Sequence, residues 1–102
     1  MKTLAVEIPI EELANLCQRH GVAKLSLFGS VLTERFTDTS DIDVLVEFKS
    51  GRRVGFLKMA ALERELSSLF DGRKVDLRTP NELSPYFREE VVKNAAVQYS
   101  AA

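Results

Sequence analysis

The chain has 102 residues, of which 45% are hydrophobic and 28% charged, and its 14 basic and 15 acidic side chains give a formal net charge of -1 at pH 7. This composition is typical of one globular domain, and the balanced charge excludes a general attraction to nucleic acid or anionic membranes. No apolar run reaches the about 20 residues of a membrane span, and the amino terminus lacks a signal-peptide core. We expect a cytoplasmic domain spanning 1–102, with its core at about 10–99.

The first half of the chain predicts a helix, a strand, a turn and a second strand. Pro9 suits the first turn of a helix that continues to about Arg19, and "AKLSLF" indicates a short buried strand. Gly29-Ser30 ends this strand, and we predict a short helix over 31–35. The stretch "TDTS" is turn material, and "DIDVLVEF" has the branched, apolar character of a central strand.

The second half predicts helices on either side of a third strand. Between Val54 and Phe70, apolar residues recur at helical spacing and predict a core-facing stripe. The stretch "KVDLR" follows a "DGR" turn and indicates a short strand. Thr79 to Glu82 has capping-box spacing, and Ser84-Pro85 offers a second helix start before "YFREEVVKNAAVQY". The predicted stripe consists of Phe56, Met59, Leu62, Leu66 and Leu69.

The alternation of these elements indicates an α/β fold with a small sheet of about three strands flanked by helices. The pattern alone leaves the directions of the strands open. A single cysteine, Cys17, excludes an internal disulfide, and its helical spacing with Leu13 and Leu16 predicts a buried, inert thiol. We interpret His20 as a cation near the last carbonyls of the first helix rather than as a catalytic residue.

Two aspartates one residue apart stand at the start of the second strand. Asp41 and Asp43 project to the same face of that strand, about 6–7 Å apart along the chain. Their charges repel, and a divalent cation would remove this cost, with phosphate oxygens completing the octahedron that Mg²⁺ prefers. The pair predicts a Mg²⁺ and phosphate site, although such pairs also occur by chance and Asp41 could simply cap a turn.

Two further features complete the candidate site. Glycine in the Gly29-Ser30 turn lets a phosphate approach the backbone closely, and Ser30 adds a hydroxyl donor. Asp76, in the third strand, adds a third carboxylate, as a two-cation site for phosphoryl transfer requires. Taken alone, Asp76 would more often be a strand-end residue paired with Lys74 or Arg78.

Gly29-Ser30, ten intervening residues and Asp41-x-Asp43 together resemble the signature of DNA polymerase beta-like nucleotidyltransferases. The stretch "KVDLRTPNELSPYFREEVVKNA" is similar to the matching segment of the minimal members of that superfamily. The resemblance implies a small mixed sheet and Mg²⁺ binding by the catalytic residues Asp41, Asp43 and Asp76. It also implies that Gly29 and Ser30 bind the terminal phosphates of a nucleoside triphosphate, and that Asp76 assists deprotonation of the attacking hydroxyl.

The resemblance also carries expectations about partners. Stand-alone minimal nucleotidyltransferases are similar to antitoxins encoded beside a helical ribonuclease-type toxin, and some transfer AMP to a toxin tyrosine. We therefore expect Mg²⁺-dependent transfer of a nucleoside monophosphate, with ATP as the first-choice donor of AMP, to a hydroxyl of a cognate toxin. The alternatives are a weak or inactive antitoxin that neutralises its partner by contact, and a small structural or oligomerising domain.

One segment, Leu32-Thr33-Glu34, departs from the family pattern. Many relatives carry small and basic residues with a glycine at this place, whereas Glu34 would add negative charge near a polyphosphate if it faces the site. The departure favours the contact inhibitor somewhat. Candidate basic residues for the triphosphate are Arg35, Arg52 and Arg53, each with a solvated surface role as the alternative.

Overall fold

The computed structural model describes residues 6–37, 39–49 and 54–101. Three α-helices, four β-strands and two 3₁₀ turns alternate along these residues. The elements in chain order are α1 (Ile10–Arg19), β1 (Val22–Phe28), a 3₁₀ turn (Gly29–Leu32), β2 (Ile42–Phe48), α2 (Phe56–Leu69), β3 (Val75–Arg78), a second 3₁₀ turn (Pro80–Glu82), α3 (Arg88–Asn94) and β4 (Ala96–Ser100).

The strands form one mixed sheet in the order β3-β2-β1-β4. β1 pairs antiparallel with both β2 and β4, whereas β2 and β3 are parallel. The carboxyl end of β1 therefore meets the amino ends of β2 and β3 at one end of the sheet. At that end, Asp43 of β2 is the register partner of Phe28 in β1 and of Asp76 in β3.

The core lies on the face of the sheet that α1 and α2 cover. In β2, Ile42, Val44 and Val46 are fully buried within the same cluster as Leu62 and Leu66 of α2. Because side chains alternate along a strand, this register turns the intervening Asp43 to the opposite face. The hydrophobic packing of β2 thus fixes the direction in which the acidic side chain points.

The α/β prediction is confirmed, but the sheet has four strands rather than about three. The predicted long terminal helix ends at Asn94, and residues Ala96–Ser100 form β4. Pairing with β4 satisfies the backbone groups along the outer edge of β1, which would otherwise be exposed. The alternating Val97 and Tyr99 fit this role, and Tyr99 packs against the core.

Other local predictions have mixed outcomes. The predicted burial of Cys17 is confirmed, and this burial raises the pKa of its thiol to about 11, which disfavours the reactive thiolate. His20 does cap α1, but its side chain contacts the Glu65 carboxylate of α2 instead of the last carbonyls. The predicted 31–35 helix is a 3₁₀ turn at Gly29–Leu32.

Of the stripe on α2, Leu62 and Leu66 are buried, Met59 and Leu69 are partly buried against the core, and Phe56 is exposed. Phe56 is 84% exposed because it begins the helix, a turn before Met59 makes the first contact with the core. Thr79 and Glu82 form the predicted capping box, around a 3₁₀ turn. Within the described ranges, no helix is both long and apolar enough to cross a membrane.

Candidate active site

The site is built on two aspartates that face each other across parallel strands. Asp43 and Asp76 are register partners, so their side chains leave the same face of the sheet as nearest neighbours. Asp41 precedes β2 by one residue and is half-exposed, close enough for its charge to act on Asp43. The structure thus brings the three predicted carboxylates to one end of the sheet.

The turn after β1 lies directly against this acidic group. Gly29 has a φ of 75°, a left-handed conformation that favours glycine, and a Cβ added to it would collide with the Asp43 carboxylate. The backbone angle therefore favours glycine here, and any larger residue would also force the Asp43 carboxylate to move. The prediction that Gly29 borders the acidic site agrees with this geometry.

The electrostatics of Asp43 follow from its neighbours. Partial burial raises the pKa of the Asp43 carboxyl, and the negative charges of Asp76 and Asp41 raise it further. The guanidinium of Arg78 lowers this pKa and is the smallest of the four influences. In the described part of the chain, no hydrogen-bond donor contacts the Asp43 carboxylate, so its charge is poorly compensated.

Basic side chains accompany the other two acids. Arg78 Nε lies 3.3 Å from Asp76 Oδ1, which confirms the pairing considered as the alternative role for Asp76. Lys74 Nζ lies 3.9 Å from Asp41 Oδ2 instead of pairing with Asp76. Both pairs are substantially exposed to solvent, where such contacts contribute little to stability. They leave the carboxylates available to a stronger ligand.

The donor set suits a hard divalent cation. Over the residues that the structure describes, no three acidic, histidine or cysteine side chains are already grouped as a metal cage. Magnesium, however, is commonly bound through one or two carboxylates together with waters and substrate phosphates. Asp41, Asp43 and Asp76 offer carboxylate oxygens only, and Gly29 leaves the backbone beside Asp43 open. These residues fit Mg²⁺ that arrives with a polyphosphate.

The segment after the turn has structural roles that its sequence did not suggest. Thr33 donates two hydrogen bonds of 2.9 Å to the Ser30 carbonyl, one from its backbone N–H and one from its hydroxyl. Leu32 packs against the core, while Glu34 and Arg35 are exposed. The orientation of the Ser30 hydroxyl toward the acids stays a prediction.

Sequence reasoning named Arg78 only as a partner of Asp76 in the alternative to a metal site, and not among the basic residues of the site. Arg52 and Arg53 lie outside the described residues, and Arg35 makes no side-chain contact with the acidic group within them. Arg78 contacts Asp76. The sequence carries a signal for this contact, because residues two apart on a strand share a face and Arg78 follows Asp76 at that spacing.

Comparison with known proteins decides the family. Residues 10–97 match the family described as nucleotidyltransferase domain. The chain belongs to this family. It is 36% identical over 77 residues to MJ0435 of Methanocaldococcus jannaschii, provisionally named a protein adenylyltransferase, and the match covers 76% of this chain and 80% of that protein.

Several solved structures share the fold of this chain. A protein described as a minimal nucleotidyltransferase superposes with a TM-score of 0.68 at 37% identity, covering 84% of this chain and 85% of the other. A toxin-antitoxin complex with AMP-PNP gives 0.72 at 21% identity, covering 92% and 75%. A tri-AMPylated Shewanella oneidensis HEPN toxin in complex with MNT antitoxin gives 0.63 at 21% identity, covering 90% and 70%. The prediction from the sequence that the chain is a nucleotidyltransferase is confirmed.

The first prediction concerns the stability cost of Asp43. Because the pKa of Asp43 in the folded state is raised above its ordinary value of 3.8, the folded protein holds the proton to higher pH. Stability therefore falls as pH rises from about 3.8 through the raised pKa. Asp43→Asn should therefore raise the apo-protein melting temperature at pH 7 by a few degrees, where about 1 kcal/mol corresponds to about 4–8 °C in a domain of this size. The gain should vanish below about pH 3.8.

Glu47→Gln on the same strand is the control, because Glu47 lies opposite Lys24 and away from the acidic group. Thermal melts across pH 3 to 8 provide the measurement. A large loss of stability in Asp43→Asn at pH 7 would show instead that the carboxylate is needed to satisfy buried donors.

The second prediction isolates the influence of Arg78. Removing its charge in Arg78→Gln should raise the pKa of Asp43 further, because the guanidinium lowers that pKa. Lys74→Gln makes the same change of charge beside Asp41 and should leave the Asp43 pKa close to the wild-type value, since Lys74 is not among the groups that shift it. Carboxyl chemical shifts followed by NMR through the titration measure both. Equal shifts in the two variants would contradict the assignment of Arg78 to this site.

Proposed function

We propose that this protein is a Mg²⁺-dependent nucleotidyltransferase that moves AMP from ATP to a hydroxyl of a partner protein in the cytoplasm. The observation that supports this most strongly is the register pairing of Asp43 with Asp76 beside a glycine that must leave space for the Asp43 carboxylate. Uncompensated carboxylates beside open backbone are the arrangement that a cation with bound phosphates would stabilise.

In this proposal Asp41, Asp43 and Asp76 hold the cation, and Gly29 with Ser30 receives the terminal phosphates. The cation would supply Lewis-acid stabilisation of the charge that develops on the phosphate oxygens. Gly29 contributes by lacking a side chain, since any Cβ would fill the space beside Asp43. Ser30 contributes its hydroxyl as a hydrogen-bond donor to a phosphate oxygen.

Asp76 is the residue proposed to accept the proton of the attacking hydroxyl. The acceptor oxygen forms a bond to the α-phosphorus of ATP while the bond from that phosphorus to the pyrophosphate oxygen breaks. The hydroxyl proton passes to the Asp76 carboxylate and then to solvent. Asp76 is 37% exposed in its side chain, which leaves it accessible to an acceptor, and its contact with Arg78 at 3.3 Å orients the carboxylate.

The proposed acceptor is a cognate toxin of helical fold. Two of the structures that share this fold are toxin-antitoxin complexes, one with AMP-PNP and one with a tri-AMPylated toxin. The relative MJ0435 carries a provisional name as a protein adenylyltransferase. These descriptions support ATP as the donor and a protein as the acceptor, and a tyrosine hydroxyl is the favoured acceptor group.

A contact inhibitor is the second candidate function. The exposed Glu34 follows the turn that would bind phosphates, and Asp41 and Asp76 have basic partners in Lys74 and Arg78. Under this alternative, the protein neutralises its partner by binding, and its acids do not need to hold a metal.

The third prediction distinguishes transfer from contact. Incubation with Mg²⁺, ATP and the cognate partner should add AMP to a partner hydroxyl, measured by intact-protein mass spectrometry. Asp41→Asn and Asp76→Asn should each lower the transfer rate by at least about 10²-fold, because lost charge stabilisation in a catalytic site commonly costs this much. Binding to the partner should persist in both variants.

Glu47→Gln is again the matched control, because it removes a carboxylate from β2 at the end remote from the site. Its transfer rate should equal that of the wild-type protein. Neutralisation of the partner with no gain in mass, and with equal strength in the wild type and both aspartate variants, would establish the contact inhibitor instead.

A further inference from the structure

Arg73 anchors the segment that joins the Gly29-Ser30 turn to Asp41. Its Nη2 donates to the carbonyl of Thr37 at 2.6 Å and to the carbonyl of Ser40 at 3.0 Å. Its guanidinium also lies over the Phe36 ring, 4.4 Å from the ring centroid. One side chain therefore contacts three residues between positions 36 and 40, which are remote from it in sequence and lie shortly before Asp41.

The anchored segment has few other constraints. Its described hydrogen bonds are mostly local, such as Ser40 N to the Thr37 carbonyl at 3.1 Å and Thr37 N to the Ser40 hydroxyl at 3.0 Å. Thr37 and Thr39 are exposed, and Phe36 is only partly buried. Local bonds of this kind shape a turn but do not fix its position on the rest of the protein, which the contacts of Arg73 do.

The place of Arg73 in the chain links this anchor to the acidic residues. The backbone carbonyl of Lys74, the next residue, accepts a 2.9 Å hydrogen bond from the backbone N–H of Ile42. The ammonium of Lys74 pairs with Asp41. The strand that follows carries Asp76 in register with Asp43. The contacts of residues 73 and 74 therefore tie the amino ends of β2 and β3 together at the site.

We propose that Arg73 is a positioning residue, which holds the segment through Phe36, Thr37 and Ser40 and so sets Asp41 and the Gly29-Ser30 turn relative to Asp43 and Asp76. This inference rests on the proposed function, because it names a residue that the same site needs. Arg73 acts through the segment and not on the nucleotide, since its Nη2 is already engaged by two carbonyls.

The chemistry of the contacts requires arginine. A planar guanidinium can stack on an aromatic ring while its edge donates to two carbonyls, whereas the ammonium of lysine is a point charge without a flat face. The Nε of Arg73 is buried and has no hydrogen-bond partner within the described residues, which is a cost that the other contacts must offset.

The fourth prediction tests Arg73 with Arg73→Lys, which keeps the charge, Arg73→Gln, which removes it, and Phe36→Leu, which removes only the stacking partner. Amide hydrogen exchange over residues 33–41 should accelerate in all three. The affinity for Mn²⁺, used as a spectroscopic probe of the acids, should fall by about 10- to 100-fold in both Arg73 variants, as when a residue supporting metal ligands is lost. At saturating Mg²⁺-ATP, kcat should fall by a similar factor. KM should change by a smaller factor than kcat.

Arg64→Gln is the matched control, because it removes the same charge from an exposed position on α2. It should leave exchange, Mn²⁺ affinity and kcat at wild-type values. Faster exchange in the Arg73 variants with unchanged Mn²⁺ affinity and kcat would overturn the proposal and leave Arg73 a structural role only.

Wild-type protein that binds Mn²⁺ but transfers no nucleotide would defeat the proposed function alone, while the Mn²⁺ arm still decides the role of Arg73. Wild-type protein that binds no Mn²⁺ would overturn both.

Discussion

Repulsion between the carboxylates of Asp43 and Asp76 is the constraint on which the rest of the site depends. The parallel pairing of β2 with β3 places the two residues in register, and the apolar side chains that flank Asp43 in β2 prevent it from turning away. Partial burial of Asp43 is the largest cause of its raised pKa, and the charges of Asp76 and Asp41 raise that pKa further. A fold that maintains such a cost at a surface-accessible position is typical of a protein whose ligand removes it.

The surrounding elements act on this constraint in different ways. Gly29 leaves space for the Asp43 carboxylate, Arg78 provides a weak counter-charge, and Arg73 holds the segment that leads into Asp41. Arginine is used twice for different purposes. Arg78 lies in solvent beside an acid and can exchange partners, whereas Arg73 is anchored to backbone carbonyls and an aromatic ring and therefore suits positioning.

Most of the fold and the acidic group could be predicted because their signals are local. The branched, apolar character of β2 and the helical spacing of Leu62 and Leu66 indicate buried elements, and residue spacing identifies the acids. β4 could not be predicted in this way, because its residues form a strand by pairing with the edge of β1, which is distant in sequence. The role of Arg73 was hidden for the same reason, since its partners lie 33 to 37 residues earlier and belong to an irregular segment.

The central claim is that a cation and a polyphosphate together relieve the repulsion at Asp43. The most direct measurement is the melting temperature of the wild-type protein with Mg²⁺ alone, with a non-hydrolysable ATP analogue alone, and with both. Binding to the folded state alone raises stability by mass action, so the account predicts that both together give a larger increase than the sum of the separate ones, and that Asp43→Asn abolishes the excess. An absence of any increase, or an equal increase in Asp43→Asn, would contradict it.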